Sequence, residues 1–137
     1  TVHQSKFSMG TVLGLVAVLG RAGLSEFDAS FKSGDVTAFH DKVVMELDPE
    51  VDGAYPARWI GKVRVETTDG RLLQGRVDEP KGDPGNTLSR PELEAKARAL
   101  AAYGEGASAA EMDEVIERIW ALADAPRVER WLVRLPA

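Results

Sequence analysis

The uncharged run FSMGTVLGLVAVLG, residues 7–20, is the stretch that decides the first part of the fold. A membrane-spanning helix needs about 20 consecutive apolar residues, and this run is shorter. A signal peptide would place a basic residue before such a run, as Lys6 does here, but no Ala-x-Ala cleavage site follows. We therefore predict a helix that is buried on all sides within a larger protein.

Gly10 and Gly14 lie four positions apart, about one helical turn, within this run. Two glycines at that spacing leave a strip of helix surface without side chains, so the backbone of another helix can approach closely. The same spacing occurs in membrane helix dimers. Because the run is too short to span a membrane, we interpret the pair as packing inside a protein core.

Two alternating segments on either side of Asp69-Gly70 predict a β-hairpin at about residues 58–78. A two-residue loop would place Val65 opposite Gln74 and mix apolar with polar side chains. A three-residue loop of residues 68–70 gives one apolar face, with the pairs Val65–Leu73, Val63–Gly75 and Gly61–Val77. Because a slip of one residue turns every side chain to the other face, we predict the three-residue loop with a left-handed Gly70 in a bulge.

The polar face of this hairpin carries three cations, Lys62, Arg64 and Arg76. Such a group is either an exposed face whose charges are balanced by nearby carboxylates or a binding site for an anion. Glu66 and Asp78 lie close to the same cations in sequence. Their charges favour the exposed, balanced face.

Local patterns place the segments before the hairpin. Residues 43–47, VVMEL, alternate in a way that predicts a short half-buried strand. Residues 48–56 contain two prolines and a glycine, which predicts a loop. Tryptophan and methionine side chains are expected in the core.

Two capping boxes open the C-terminal part of the chain. Ser89 and Ser108 are each followed three residues later by a glutamate, which predicts two helices that end near Gly104 and Pro126. Residues 128–135 suggest a last short helix. The whole is an α+β fold, in which a small antiparallel sheet packs against helices and further helices follow.

The composition excludes several classes of function but identifies none. The 137 residues are 44% hydrophobic and 28% charged, a size that fits one domain. Cysteine is absent, which excludes disulfides, thiolate metal sites and cysteine nucleophiles. Lys plus Arg number 17 against 22 Asp plus Glu, a net charge of -5. That balance argues against a duplex nucleic-acid partner and against an anionic membrane surface.

The sequence holds no self-contained catalytic motif. His40, on the edge of a predicted short helix, is interpreted as a surface or hydrogen-bonded residue rather than a base. Asp78, Asp83 and Asn86 lack the spacing of a known calcium loop and are interpreted as turn residues. We assign no metal site and no cofactor.

Four residues are candidates for binding an anionic substrate. Lys6 precedes the uncharged helix, and His3 and Ser8 are close to it, so the three side chains can meet a carboxylate at the helix start. Lys81 lies in the proline- and glycine-rich loop of residues 78–86, which holds its ammonium in one place. A structural role remains the preferred interpretation of each side chain taken alone.

Two segments resemble the C-terminal part of the MmgE/PrpD family, which includes 2-methylcitrate dehydratases, cis-aconitate decarboxylases and iminodisuccinate epimerases. The first is SKFSM, residues 5–9, similar to the family's Ala-Lys-Phe-Ser opening of an apolar helix, with GRAGL after it at residues 20–24. The second runs from RVD, residues 76–78, through PKGDP, residues 80–84, and Asn86 to ELEAK at residues 92–96. The order of short helices, strand and hairpin between them also fits.

The resemblance implies a cytoplasmic, cofactor-free homodimer that acts on a small polycarboxylate. Residues 1–137 would form a single C-terminal α+β domain, with residues 107–137 returning to pack on a helical domain of the same protein. The active site would lie between the two domains. Because most catalytic residues would belong to the part before Thr1, no residue here is assigned as catalytic. Neither a nucleic acid nor a membrane is implied as a partner.

The chain departs from the family's pattern at four positions. Glu79 stands where a tyrosine is common, and Gly85 and Thr87 replace the usual glutamate and proline. Thr11 falls where many members have an aromatic residue, which decarboxylase-like members are expected to place against the substrate. The substrate therefore stays open.

A second hypothesis is a stand-alone α+β protein-interaction module without catalysis. It predicts a polar surface around residues 7–20. The enzyme domain predicts an exposed apolar patch there, where the helical domain would sit.

Overall fold

The computed structural model describes residues 1–128 of the chain. The chain divides into two compact units, Thr1–Leu88 and Ser89–Ala137. Residues 1–128 contain seven α-helices and one two-stranded antiparallel sheet, so the fold is α+β, as predicted.

The elements of the first unit are α1 (Val2–Ser5), α2 (Met9–Leu19), α3 (Leu24–Ser30), α4 (Gly34–His40), α5 (Pro49–Ala54), β1 (Gly61–Glu66) and β2 (Leu72–Val77). Those described in the second unit are α6 (Arg90–Tyr103), α7 (Ala109–Ala121) and a 3₁₀ turn, Leu122–Asp124. The last helix predicted, residues 128–135, lies outside the described residues apart from Val128.

Helix α2 forms from the uncharged run, and both of its ends are capped. The Thr11 backbone N–H donates to Ser8 Oγ at 3.3 Å, and the helix ends at Gly20 in the left-handed conformation, with φ 78°. Its buried residues are Thr11, Gly14 and Leu15, whereas Val16, Val18 and Leu19 are exposed. Within this chain α2 therefore buries one side, and burial on all sides stays a prediction for a larger protein.

Helices α2 and α4 approach each other at the two glycines. A Cβ atom added to Gly14 would lie 2.8 Å from the Val36 carbonyl oxygen, and one added to Gly10 would lie 2.5 Å from His40 Cδ2. The prediction that this glycine pair admits another helix is confirmed, and that helix is α4. The core of the unit forms beside this contact. Leu15 is 0% exposed and clusters with buried Phe27 and Val36, against which Val2, Val12 and Ala22 also pack.

The hairpin has the predicted register. Val65 pairs with Leu73, Val63 with Gly75 and Gly61 with Val77. Gly70 is left-handed with φ 81°, and its N–H donates to the Thr67 carbonyl at 2.9 Å. Both strands are exposed along their whole length, so contacts other than core burial hold the hairpin to the helices.

Two predictions for residues 43–56 are wrong. Residues 43–47 form no strand, and Val44, Met45 and Leu47 are exposed. Within residues 1–128 the sheet consists of β1 and β2 only, so this segment has no partner strand there. The predicted loop contains α5, because Asp48 Oδ1 accepts from the N–H groups of Glu50 and Val51, at 2.9 and 3.3 Å, and Pro49 fits the first turn.

The second unit begins with the predicted helices. The backbone N–H groups of Ser89 and Ser108 donate to Glu92 and Glu111 at 2.7 and 2.8 Å, which confirms both capping boxes. Side-chain contacts join α6 and α7, among them a hydrogen bond between Glu94 and Trp120. Arg98 binds Asp113 at 2.9 Å, and the Arg90 guanidinium lies 4.5 Å from the Trp120 ring centroid.

The prediction that tryptophan and methionine lie in the core is wrong for several of them. Trp59 is 61% exposed, and Met9 and Met45 are exposed as well. The reason is that the core of the first unit is small and lies between α2, α3 and α4. Trp59 follows α5, outside that cluster.

Among the described helices, none is long and apolar enough to cross a membrane by itself. Only α2 and α3 taken together, bent by 97°, meet that length and composition.

Candidate functional site

Three of the candidate residues lie at the junction of α1 and α2. Lys6 is the C-cap of α1, and its backbone N–H donates to the carbonyls of His3 and Gln4. The imidazole of His3 meets the ring of Phe7 edge-on, with centroids 5.2 Å apart. The side chains of His3 and Lys6 are exposed. The chain therefore presents a cation and an imidazole beside the start of an uncharged helix.

Ser8 is the N-cap of α2 at the same junction. Its Oγ accepts from the Thr11 backbone N–H and from Thr11 Oγ1, at 3.3 and 3.1 Å. A hydroxyl that accepts twice keeps one proton to donate. Ser8 is thus a helix cap, with one donor left for a ligand.

His40 reaches this region from α4, which the sequence did not indicate. Its ring occupies the space that a side chain at position 10 would fill, and Nδ1 lies 3.0 Å from Asp41 Oδ1. Its side chain is 46% exposed. The interpretation of His40 as a hydrogen-bonded surface residue is confirmed. Gly10, in the first turn of α2, leaves the space that the ring of His40 occupies.

Lys81 lies in a separate loop, after β2. The Gly82 N–H donates to the Asn86 carbonyl at 2.8 Å, and the Asn86 side chain donates to the Glu79 carbonyl at 3.0 Å. The Asn86 N–H donates in turn to the Asp83 carbonyl at 2.9 Å. These bonds close the loop on itself and confirm the turn role of Asn86, whereas the Asp78 carboxylate binds Arg76 instead. Lys81 is exposed on this closed loop.

The cations of the hairpin are paired with carboxylates from α5, from the segment before it and from the residue after β2. Lys62 binds Asp48 and Glu50 at 2.7 and 2.6 Å, and Arg76 binds Glu50 and Asp78 at 2.7 Å each. Arg64 lies 3.7 Å from Glu46. The balanced, exposed face is therefore confirmed, although Asp48, Glu50 and Glu46 take the role predicted for Glu66.

Glu50 is the centre of this network. Hydrogen bonds from Arg76 and Lys62 lower its pKa to about 2. The pKa of Arg76 is raised by hydrogen bonds to Glu50 and then Asp78, and the pKa of Lys62 by hydrogen bonds to Asp48 and then Glu50. Through its two ion pairs with Lys62 and Arg76, Glu50 links α5 to both strands of the hairpin.

We expect the Glu50→Gln variant to be less stable than the parent at pH 7. A carboxylate with a folded pKa of about 2 and an unfolded value of 4.5 stabilises the fold above pH 4.5. That contribution is lost as the pH falls through about 2, so the two proteins should converge there. Urea midpoints between pH 7 and pH 2 measure this. Glu66→Gln on β1 is the matched control, and an equal loss in both variants would contradict the role of Glu50.

No group of three or more His, Cys, Asp or Glu side chains within residues 1–128 is arranged to hold a metal ion.

These observations define an α+β domain. It has an uncharged helix that is capped at both ends, a hairpin whose cations are paired with carboxylates, and a loop after the hairpin that is closed by its own hydrogen bonds. The family follows from comparison with known proteins. The family model described as the MmgE/PrpD C-terminal domain matches residues 1–122, and the chain belongs to this family. No curated protein and no solved structure matches the chain.

Glu79 and Gly85 lie side by side in the loop after β2. The carboxylate of Glu79 occupies the place that a Cβ at Gly85 would take. A side chain at position 85 would therefore displace that carboxylate, and a glutamate there would also oppose its charge.

Proposed function

We propose that this chain is the C-terminal domain of an MmgE/PrpD-type lyase or isomerase that acts on a small polycarboxylate. The family match over residues 1–122 carries the proposal. In the cell the enzyme would be a cytoplasmic homodimer without a cofactor, and this chain would supply part of the cleft. The rest of the cleft would come from a helical domain of the same protein, and the chain alone would be inactive.

The reaction begins with removal of a proton from a carbon next to a carboxylate. The electron pair left behind spreads into that carboxylate as enediolate-like charge. It then expels a neighbouring hydroxyl, which takes a proton from a general acid and leaves as water, or it takes a proton itself on the opposite face. In the decarboxylation variant, carbon dioxide leaves and its bonding pair takes up a proton. Each route needs a base of tuned pKa and cations near the developing charge.

Lys6 and Lys81 are the cations that we assign to this task. Lys6 is exposed beside the N-terminus of α2, where the helix dipole adds positive potential, and Ser8 keeps one proton to donate there. Lys81 lies on a loop closed by its own hydrogen bonds, so the position of its backbone is defined. Both features suit the binding of a carboxylate group.

The exposed apolar residues around α2 support an enzyme domain over a stand-alone module. Phe7 is 80% exposed and Met9 is 50% exposed, and Val16, Val18 and Leu19 are also exposed. A module complete in itself would be expected to have a polar surface around residues 7–20. This surface suits a domain that another part of the protein covers.

We expect Lys6→Met and Lys81→Met, each made in the full-length enzyme, to lower kcat/KM at least about tenfold. Methionine keeps the length and apolar stem of the side chain and removes the charge. Exchange of carbon-bound hydrogen in D₂O, followed by ¹H NMR on a panel of small polycarboxylates, detects all the routes. The α-proton is lost in dehydration and epimerisation, and deuterium is taken up where carbon dioxide leaves. Lys96→Met, an exposed lysine on α6, is the control.

The coding DNA upstream of the Thr1 codon gives the full-length protein for this assay. An unchanged kcat/KM removes that lysine from the site. Absence of exchange with every polycarboxylate in the panel contradicts the enzymatic proposal, and a start codon directly upstream of Thr1 contradicts the two-domain arrangement.

A further inference from the structure

A small cleft lies in the first unit, between α5, the segment leading into β1 and the loop after β2. Its volume is about 190 Å³. It is lined by Val51, Tyr55, Arg58, Trp59, Ile60 and Pro80. Ile60 is 6% exposed, whereas Tyr55 and Trp59 are 60% and 61% exposed. The cleft thus has a buried aliphatic residue beside two accessible aromatic rings.

The walls of the cleft are held in place before any ligand arrives. The rings of Tyr55 and Trp59 meet edge-on, with centroids 5.3 Å apart. The Arg58 N–H donates to the Ala54 carbonyl at 2.9 Å, which ties this residue to the end of α5. Glu50, next to Val51, binds Lys62 and Arg76 and so fixes α5 against the hairpin.

Arg58 gives the cleft its charge. Among residues 1–128, no ion pair and no side-chain hydrogen bond of Arg58 is found. One carboxylate that feels its charge is Asp78, whose pKa is lowered mainly by hydrogen bonding to Arg76 and to a lesser extent by Arg58. Asp78 already accepts from Arg76 Nε and Nη2, at 3.0 and 2.7 Å. The Arg58 guanidinium is therefore available to an anion from outside.

The charge and the volume of the cleft together indicate which class of ligand fits it. Two exposed aromatic rings alone would suit a cation, but the positive charge of Arg58, one of the lining residues, opposes a cation and favours a carboxylate. A volume of 190 Å³ equals about six waters at ~30 Å³ each, below the ~300 Å³ at which drug-sized pockets begin. One ring with a short substituent fills it.

We infer that this cleft binds a small aromatic carboxylate, with its ring against Tyr55 and Trp59 and its carboxylate on Arg58. This site is independent of the proposed function, because it needs a ring that the polycarboxylates of that reaction lack. It also involves neither Lys6 nor Ser8.

The test is a titration of the complete chain with benzoate, followed by amide and indole ¹H–¹⁵N NMR. We expect saturable shifts at Ile60 and at the Trp59 indole, with a dissociation constant of about 1 mM or lower. Benzyl alcohol is the uncharged match and benzyltrimethylammonium the cationic match, and both should bind at least about tenfold more weakly than benzoate.

Arg58→Gln should weaken benzoate binding at least about tenfold, because glutamine removes the charge and keeps a polar side chain. Arg71→Gln, at the exposed turn of the hairpin, is the matched control and should bind as the parent does. Trp59→Ala should also abolish binding. Since Trp59 is exposed, this second variant is expected to stay folded, which the dispersion of the NMR spectrum verifies.

Three results would overturn the inference: no saturable shift with benzoate, equal binding of benzyl alcohol, or unchanged binding to folded Arg58→Gln. Tighter binding of the cation would equally overturn it and would indicate an aromatic cage. Because the readout is binding rather than proton exchange, these outcomes leave the proposed lyase or isomerase activity untouched, and failure of that activity leaves this site untouched.

Discussion

Replacing Leu15 with alanine should lower the free energy of unfolding of the first unit by about 2–5 kcal/mol. Leu15 is 0% exposed and clusters with Phe27 and Val36, so truncation removes buried methyl groups and leaves a cavity between three helices. Helices this short cannot close the gap without losing their other contacts. Urea denaturation measures the loss, and hydrogen exchange of α2 and α4 assigns it to this unit.

Leu19→Ala is the matched control for this change. It makes the same truncation in the same helix, but Leu19 is 43% exposed, so little cavity forms. We expect a loss of less than about 1 kcal/mol. Equal losses in the two variants would show that α2 does not bury the side that contains Leu15.

Replacing Gly14 with leucine should cost about 3 kcal/mol and lower the melting temperature of the unit by about 12 °C or more. A Cβ atom at this position would lie 2.8 Å from the Val36 carbonyl oxygen and 3.2 Å from Val36 Cγ1. The first of these is a backbone atom, which cannot turn aside as the end of a side chain can. Helices α2 and α4 must therefore separate, although leucine is by itself the better helix former.

Gly53→Ala in α5 separates this steric effect from glycine's backbone freedom. No atom lies within 4 Å of a Cβ at Gly53, so only the helix propensity changes. Alanine should then be neutral or stabilising by up to about 1 kcal/mol. Thermal unfolding followed by circular dichroism compares the two variants. A melting temperature of Gly14→Leu equal to that of the parent would contradict the close approach of α2 and α4.

Local rules predicted the elements whose determinants are close together in sequence. The register of the hairpin followed from requiring Val63, Val65 and Leu73 on one face, a condition that only a three-residue loop meets. The capping boxes at Ser89 and Ser108 needed only the residue three positions on. The motifs around Lys6 and Lys81 were sufficient for the family, which the match over residues 1–122 confirms.

The same rules failed where the deciding partner is distant. Residues 43–47 have the alternation of a strand, but a strand also needs a neighbour, and the pattern of one segment cannot supply it. Residues 48–56 contain loop-forming residues, yet the Asp48 side chain and the first-turn Pro49 start a helix there. Trp59 was expected in the core by residue type, but it follows α5 and lies on the surface.

The candidate site likewise has a part that the sequence indicated and a part that only the structure shows. Sequence proximity grouped His3, Lys6 and Ser8, and all three lie in or beside the junction of α1 and α2. Their role in binding a substrate stays a prediction. The sequence did not indicate that His40 packs against Gly10. The two residues are 30 positions apart, and only the packing of α4 on α2 brings them together. Nor did the sequence indicate the cleft beside Trp59, whose lining joins one helix, one strand entry and one loop.

The sequence by itself determined the α+β class, the hairpin register, the helix caps and the family of this protein. Those depend on periodicity, turn chemistry and short motifs, which act over a few residues. Only the tertiary structure decided which side of α2 is buried, which carboxylates pair with Lys62 and Arg76, and how the aromatic cleft forms. These depend on the distances between segments far apart in the chain, which packing alone sets.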